Sequence, residues 1–324
     1  MSWWLLALGP VAVGFVFICG ANDGGALLAL AVRHRDVPAY GMLALLMTAL
    51  VLGPGLFGLD VARTYTDRLV VGGPGELAQP IMLAGVSVTI AVVVGLTRRG
   101  VPTSITLAVL GGLSGVALGL GLAPAWWRLG AVLMLAAVAP LVGGALGFLL
   151  GMLARRLPTF SRLTAAVRLA HLTAFGGQAL AYAANDGQKM FAVLAVAGAG
   201  AAGEVRPPSL LLLAGVAVVF AAGAVVSFRR MSSGPTFGLL RSRPWHLVSA
   251  EVASSGAVLG SAALGVPVSM TQSVAAGLVG AGASQGLRRV RWQYAVPVLI
   301  SWLVTLPVSF GVGTLVGLAM GAVL

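Results

Sequence analysis

Ten apolar runs, separated by short polar interruptions, organise the sequence. They cover approximately residues 1–32, 38–58, 78–97, 101–122, 130–152, 171–202, 208–226, 245–264, 266–285 and 293–324. Stretches such as Pro38–Phe57, Ile81–Leu96, Ala131–Leu153 and Leu210–Val226 are each close to the roughly 20 apolar residues that a helix needs to cross about 30 Å of hydrocarbon. The pattern therefore predicts an all-α polytopic membrane protein. The first run, MSWWLLALGPVAVGFVFICG, lacks a basic n-region and continues into ANDGGALLALAV without a convincing cleavage site, so it is expected to be the first span and not a signal peptide. Composition agrees: mean hydropathy is +1.01 and only 9% of residues are charged, against roughly a quarter in soluble domains. The single cysteine, Cys19, rules out internal disulfides and Cys-based metal sites and reads as a small packing residue.

A net charge of +12 raises the question of a nucleic-acid partner, and the positions of the arginines answer it. Loops after odd-numbered runs hold 15 arginines, among them Arg33, Arg98, Arg155, Arg229 and Arg288, whereas even-numbered loops hold only Arg63, Arg68, Arg128 and Arg206. Cytoplasmic loops collect Lys and Arg, so the odd loops are expected inside and both termini outside, in the cell (inner) membrane. The charge is accounted for as a topology signal, with the lipid bilayer as partner and no nucleic acid. Trp3, Trp4, Trp126, Trp127, Trp245 and Trp292 fall at run ends, as an interfacial belt should.

The sequence also repeats itself. GANDGG at 20–25 and AANDGQ at 183–188 share ANDG, with Asn22 and Asn185 separated by 163 residues; PTSIT (Pro102 to Thr106) matches PVSMT (Pro267 to Thr271) at a separation of 165. Two independent motifs at nearly one offset imply a duplication with about five runs in each copy. An odd number of runs inverts the second copy, the arrangement of secondary transporters whose site lies at the midplane between copies. The expected organisation is a first repeat at 1–153, a cytoplasmic connection at 154–170 and a second, inverted repeat at 171–324.

Chemistry follows from the polar residues inside the repeats. Asp23 and Asp186 sit deep in runs of about 32 residues, too long for one straight span. Each run is expected to be a broken or re-entrant helix, with Gly20, Gly24, Gly25 and Gly187 letting the backbone leave helical geometry. A carboxylate at that depth costs roughly 2.5–3.5 kcal/mol, so both aspartates need a partner. Asp186 has one in reach, Lys189 one turn on; placement in both copies favours binding a coupling cation or carrying a proton. In the second motif Pro102 and Pro267 suit a helix start, and Thr103, Ser104, Thr106, Ser269 and Thr271 set hydroxyls beside free N–H groups, a combination that binds oxyanions.

These motifs resemble those of the inorganic phosphate transporters of the PiT type. GAND, AANDGQK, PTSIT, PVSMT and WLVTLP at 302–307 all look like family motifs, and they span both halves; the Gln188–Lys189 ending is similar to the bacterial low-affinity branch. The resemblance implies two inverted repeats, phosphate uptake coupled to sodium or protons, and a site built from Asn22, Asp23, Asn185, Asp186, Ser104, Thr106, Ser269 and Thr271. The chain departs from the family pattern in having Gly24, Gly25 and Ala26 after Asn-Asp, Ile105 and Leu107 in the first Pro-x-Ser motif, and Met270 and Gln272 in the second.

The expected function is secondary transport of inorganic phosphate by alternating access. Asp23 and Asp186 with Lys189 sum to about −1, and a doubly charged phosphate would bring the site to about −3, which a low-dielectric interior cannot hold without cations. Sodium needs several oxygen ligands, one amide of which is missing beside Asp23; a proton needs none. Proton coupling is therefore expected, with Lys189 tethering Asp186 or the anion and phosphate able to enter as a metal–phosphate complex. Sulfate on the same scaffold is the alternative substrate. A membrane enzyme acting on a phosphorylated lipid is disfavoured because no HxxxH, DxD or Ser–His constellation appears at membrane depth. No cofactor and no resident metal are expected, and a homodimer is left open. Glu251 reads as interfacial or as part of the transport path, His34 and His246 as solvated, and His171 as structural.

Overall fold

The structure, a computed structural model, describes residues 3–33, 37–70, 75–99, 101–156, 163–198, 208–232 and 244–323. The first half runs through α1 (Trp3–Cys19), a π-helical stretch (Gly20–Gly24), α2 (Gly25–Ala31), α3 (Ala39–Phe57), the short α4 (Asp60–Arg63), α5 (Ala78–Arg98), α6 (Ile105–Gly119) and α7 (Trp126–Ala154). The second half contains α8 (Leu163–Ala184), α9 (Asp186–Gly198), α10 (Leu210–Ser232), α11 (Pro244–Ala263), α12 (Met270–Ala283) and α13 (Trp292–Gly321). The order recurs: a long helical run that departs from α-helical form at Asn-Asp, two further helices, a short helix approached by extended chain, and a helix of 29 or 30 residues. Among the described residues six helical stretches are long and apolar enough to cross a membrane: Leu6–Ala31, α3, α5, α7, Leu210–Arg230 and α13. By contrast α6 and α12, at 15 and 14 residues, reach only about 21–23 Å, so they begin inside the protein.

The halves are interlocked. The short helix α6 packs along α13 of the other half, and α12 packs along α7; α8 packs on α3, and the π-helical stretch on α10. Small residues make the approaches possible. On α6, Gly111, Gly115 and Gly119 lie one turn apart, and an added Cβ on them would meet the backbone of Leu306, Phe310 and Thr314 of α13. Gly147 and Gly280 stand in the same relation to Gly277 and Gly144 at the α7–α12 contact. Between membrane helices, where lipid is as apolar as the side chains, such close contact supplies the cohesion. Gly115→Leu is accordingly expected to lower stability by about 1–3 kcal/mol through overpacking, read as a lower melting temperature of the detergent-solubilised protein; Gly9→Leu, where a Cβ meets nothing within 4 Å, is the control and should change little.

Several expectations are corrected. The chain is helical from Leu163, eight residues before the expected start of the sixth run, because LTAAVRLA continues the helix before His171. The first Asn-Asp run is not broken: it stays helical from Trp3 to Ala31 and widens into the π-helical stretch, with right-handed helical angles at Gly24 and Gly25. The second is interrupted only at Asn185, between α8 and α9. None of the motif glycines has positive φ. Gly20 and Gly24 serve close packing instead, since a Cβ there would strike the backbone and ring of Phe220 in α10. Pro102 and Pro267 do not open helices: they lie three residues before Ile105 and Met270 in extended chain, and Ser104 and Ser269 take the N-cap positions. His246 is buried where the helix α11 turns it inward, and so is Glu251; His34 lies outside the described residues.

Candidate functional site

The π-helical stretch of the first long run, the interruption of the second at Asn185 and the starts of the two short helices converge. Asp23 sits in the π-helical stretch, a form frequent at functional sites, and Asp186 is the first residue of α9. Lys189, one turn further on, reaches both: its Nζ lies 2.7 Å from Asp186 Oδ1 and 2.9 Å from Asp23 Oδ2. All three side chains are buried. The ammonium of one half thus joins the carboxylates of both, and the formal charge of the cluster is about −1 by simple addition, with every charged group paired as burial requires.

The donors around Asp186 are of three kinds. The backbone N–H of Met270, first residue of α12, donates to Oδ2 at 2.7 Å. The Thr106 hydroxyl donates to Oδ1 at 3.1 Å, and the Lys189 ammonium to the same oxygen at 2.7 Å. A helix N-terminus, a hydroxyl and an ammonium form the donor set that an oxyanion wants, and here the protein's own carboxylate occupies it. Asp23 accepts from Asn22 Nδ2 at 2.9 Å and from the Tyr182 hydroxyl at 3.3 Å.

The remaining nominated residues position this centre. Asn185 bridges the loop before α12, accepting from Val268 N–H and donating to Val266 O, both at 2.9 Å. Asn22 is the counterpart in the first half, donating to Thr103 O at 3.4 Å. Ser104 caps α6 by accepting from Leu107 N–H at 3.4 Å. Ser269 caps no backbone group; its hydroxyl lies 3.0 Å from that of Thr271. Asp23, Asp186, Lys189, Thr106 and Asn22 therefore meet directly, while Asn185 and Ser104 fix the chain before α12 and α6 and Ser269 and Thr271 pair with each other.

Sequence reasoning missed Tyr182, the Met270 N–H and one whole segment. Tyr182 stands one helical turn before Asn185 and Asp186, so helical spacing alone puts it on their face. The segment is α4 with the π-helical Thr64–Arg68 that follows it. The sequence places it in the loop between the second and third apolar runs, yet Val61, Ala62, Thr64, Tyr65 and Thr66 are buried. Ala62 N–H donates to Gln188 Oε1 at 3.0 Å and the Thr64 hydroxyl to Gly265 O at 2.7 Å, so small and polar residues fold inward where partners await them. Among the described residues no group of three or more His, Cys, Asp or Glu could hold a metal ion.

Comparison with known proteins bears on this geometry. A family model, that of the phosphate transporter family, matches the chain twice, over residues 19–175 and 158–313. A probable low-affinity inorganic phosphate transporter of Bacillus subtilis (strain 168) is 25% identical over 311 residues, covering 94% of this chain and 93% of its own. One of Mycobacterium bovis, with the same description, is 28% identical over 318 residues, 95% and 76% of the two chains. Among solved structures, one described as the sodium-dependent phosphate transporter has the same fold, with a TM-score of 0.82 over all of both chains at 18% identity.

Proposed function

The chain belongs to the phosphate transporter family, which makes it a membrane inorganic phosphate transporter and not an enzyme, and we propose that it works by alternating access between two inverted repeats with protons as the coupling ion. The observation that carries the proton reading is the occupancy of Asp186. While ionised, this carboxylate holds the Met270 N–H, the Thr106 hydroxyl and the Lys189 ammonium. Phosphate needs the same donors and cannot approach a −1 cluster without compensation. A proton on Asp186 removes one negative charge, weakens its three bonds and hands the donors to the anion. Lys189 turns from tethering Asp186 to holding phosphate.

Sodium dependence is the described property of the structure with the same fold. In this chain the position between Asp23 and Asp186 is filled by the Lys189 ammonium, which supplies fixed positive charge without a bound ion. A divalent metal travelling with phosphate as a neutral complex would reduce the remaining negative charge further.

Sodium-free proteoliposomes with an imposed pH gradient test the proposal. Phosphate should accumulate on the alkaline side. Strict dependence on sodium, with no response to the proton gradient, would refute it.

The inverted arrangement has its own test. The loop arginines support cytoplasmic odd loops, with both termini outside and the 154–167 connection inside. Phe160→Cys, in a segment beyond the described residues, and Val323→Cys, each made with Cys19→Ala, should differ: an impermeant maleimide added to whole cells is expected to label position 323 and spare 160. Strong labelling of 160 from outside would mean that the second half is not inverted.

A further inference from the structure

A second buried ionisable pair lies away from the Asp23–Lys189–Asp186 cluster. His171 of α8 and Glu251 of α11 are both buried, with His171 Nδ1 2.9 Å from Glu251 Oε2 and His171 Nε2 2.8 Å from the carbonyl oxygen of Ala31. Along α8 the pair is 11 residues from Tyr182, about 16 Å at the helical rise, so it is a separate site. Glu251 Oε1 is buried with no hydrogen-bond partner among the described residues.

The bonding pattern fixes the proton count. A carbonyl oxygen only accepts, so Nε2 must carry a hydrogen. Nδ1 and Oε2 then need one more hydrogen between them. It sits on Nδ1 if the pair is imidazolium and carboxylate, or on Oε2 if both are neutral; either way the pair as a whole is neutral. Remove that proton and a lone pair on Nδ1 faces a carboxylate across 2.9 Å, in an interior that does not tolerate an unpaired charge. The contact as built exists only in its protonated form.

What the contact joins gives the proton a consequence. Ala31 is the last residue of α2, whose terminal carbonyls lack intrahelical partners, and α2 follows directly on the π-helical stretch that carries Asp23. The imidazole therefore ties the end of the first-half helix to α8 and α11 of the second half. One turn deeper along α11, Ser254 accepts from Gln178 Nε2 of α8 at 3.0 Å, continuing the polar seam. Residues 163 fewer than His171 and Gln178, and 165 fewer than Glu251, are Leu8, Phe15 and Val86, all buried, so the first half has an apolar seam at the equivalent place. Other charged groups on the packed elements include Arg33 just after α2, Arg229 and Arg230 at the end of α10, the exposed Arg168 of α8, Arg128 and Arg155 at the two ends of α7, the latter donating to Ser284 O, and Asp186 and Lys189 of α9; Tyr182 of α8, His246 of α11 and the exposed Tyr40 of α3 are also titratable.

We infer that His171 and Glu251 form a second proton site, whose shared proton latches the end of α2 onto α8 and α11. Loss of that proton to water releases the latch and opens this half of the protein along the Gln178–Ser254 seam. The inference requires neither that the substrate be phosphate nor that Asp186 carry the coupling proton.

The test therefore reads opening and not transport. Ser254→Cys in a Cys19→Ala background places a single thiol beneath the latch, and its alkylation by a small permeant maleimide is followed against pH in the purified, reconstituted protein without phosphate. Alkylation should speed up with rising pH, approaching about tenfold per pH unit before it levels off, beyond any rise shared by the variants through ionisation of the thiol itself. Glu251→Gln keeps an amide donor for Nδ1 at every pH and should stay slow throughout. Glu251→Ala has no latch and should be fast throughout. If either variant follows the pH profile of the parent, the latch is wrong; because the two are expected to deviate in opposite directions, recovery of only one in folded form still decides the matter. Failure here leaves the hand-over at Asp186 standing, since that is read by phosphate binding.

Discussion

Asp186→Asn is expected to reduce phosphate accumulation driven by a pH gradient to the level of empty liposomes, while the protein remains folded in the membrane. Asparagine has almost the volume of aspartate, and its carbonyl oxygen can keep the bond from Met270 N–H that Asp186 holds at 2.7 Å. What it lacks is the ability to exchange a proton. The side chain would be fixed in a form resembling protonated Asp186, with the Thr106 and Lys189 donors permanently released. Phosphate should still bind, but binding should no longer be linked to pH, and a gradient can then do no work through this residue. The loss is expected to be at least about a hundredfold in rate, the scale on which removal of a positioned proton-transfer group acts. Uptake of labelled phosphate into sodium-free proteoliposomes, with protein content measured in parallel, checks it; accumulation within a factor of two of the parent would remove Asp186 from the coupling step.

The second large effect concerns stability. Lys189→Met should cost about 3–5 kcal/mol, because removing one partner of a buried ionic group leaves uncompensated charge behind, and here two carboxylates lose the ammonium that lies within 2.9 Å of each. Methionine fills nearly the same space, so the loss would report charge and not a cavity. The double variant Lys189→Met/Asp23→Asn should recover much of the stability, since one carboxylate remains and it keeps the Met270 and Thr106 donors. Thermal unfolding in detergent compares the three proteins. Equal melting temperatures for the parent and Lys189→Met would mean that the ammonium does not neutralise the pair. A sodium-dependent rise in the melting temperature of Lys189→Met, absent from the parent, would be the expected sign that a free cation can replace the tethered one.

Much of this site could be read from the sequence, and the part that could not has a common physical cause. Apolar runs fix helices because a bilayer demands them, and the duplicated Asn-Asp and Pro-x-Ser motifs point to where the halves meet. Asp186 and Lys189 are three residues apart, so their contact follows from helical spacing. The contact between Lys189 and Asp23 is 166 residues long in sequence, and no local period encodes it. The same holds for Met270 N–H at Asp186 and for His171 with Glu251, which bring together helices whose crossing depends on packing across the whole interface. Glycine misled for a related reason: in a sequence it signals backbone freedom, whereas Gly20 and Gly24 keep helical angles and make room for Phe220. The inward fold of α4 was hidden because its residues, with Asp60 and Arg63 paired at the surface, look like any polar loop; the buried Gln188 amide that accepts from Ala62 N–H and the Gly265 carbonyl that accepts from Thr64 explain it.

The hand-over of donors from Asp186 to phosphate is tested most directly by phosphate affinity as a function of pH, measured on the purified protein without sodium, for the parent and Asp186→Asn together. Ionisation of phosphate itself contributes equally to both. The parent should lose affinity as pH rises more steeply than Asp186→Asn does, by up to about tenfold per pH unit for one linked proton, and the two should converge at low pH where Asp186 is protonated. Identical pH profiles, or binding by the parent only when sodium is present, would contradict the account.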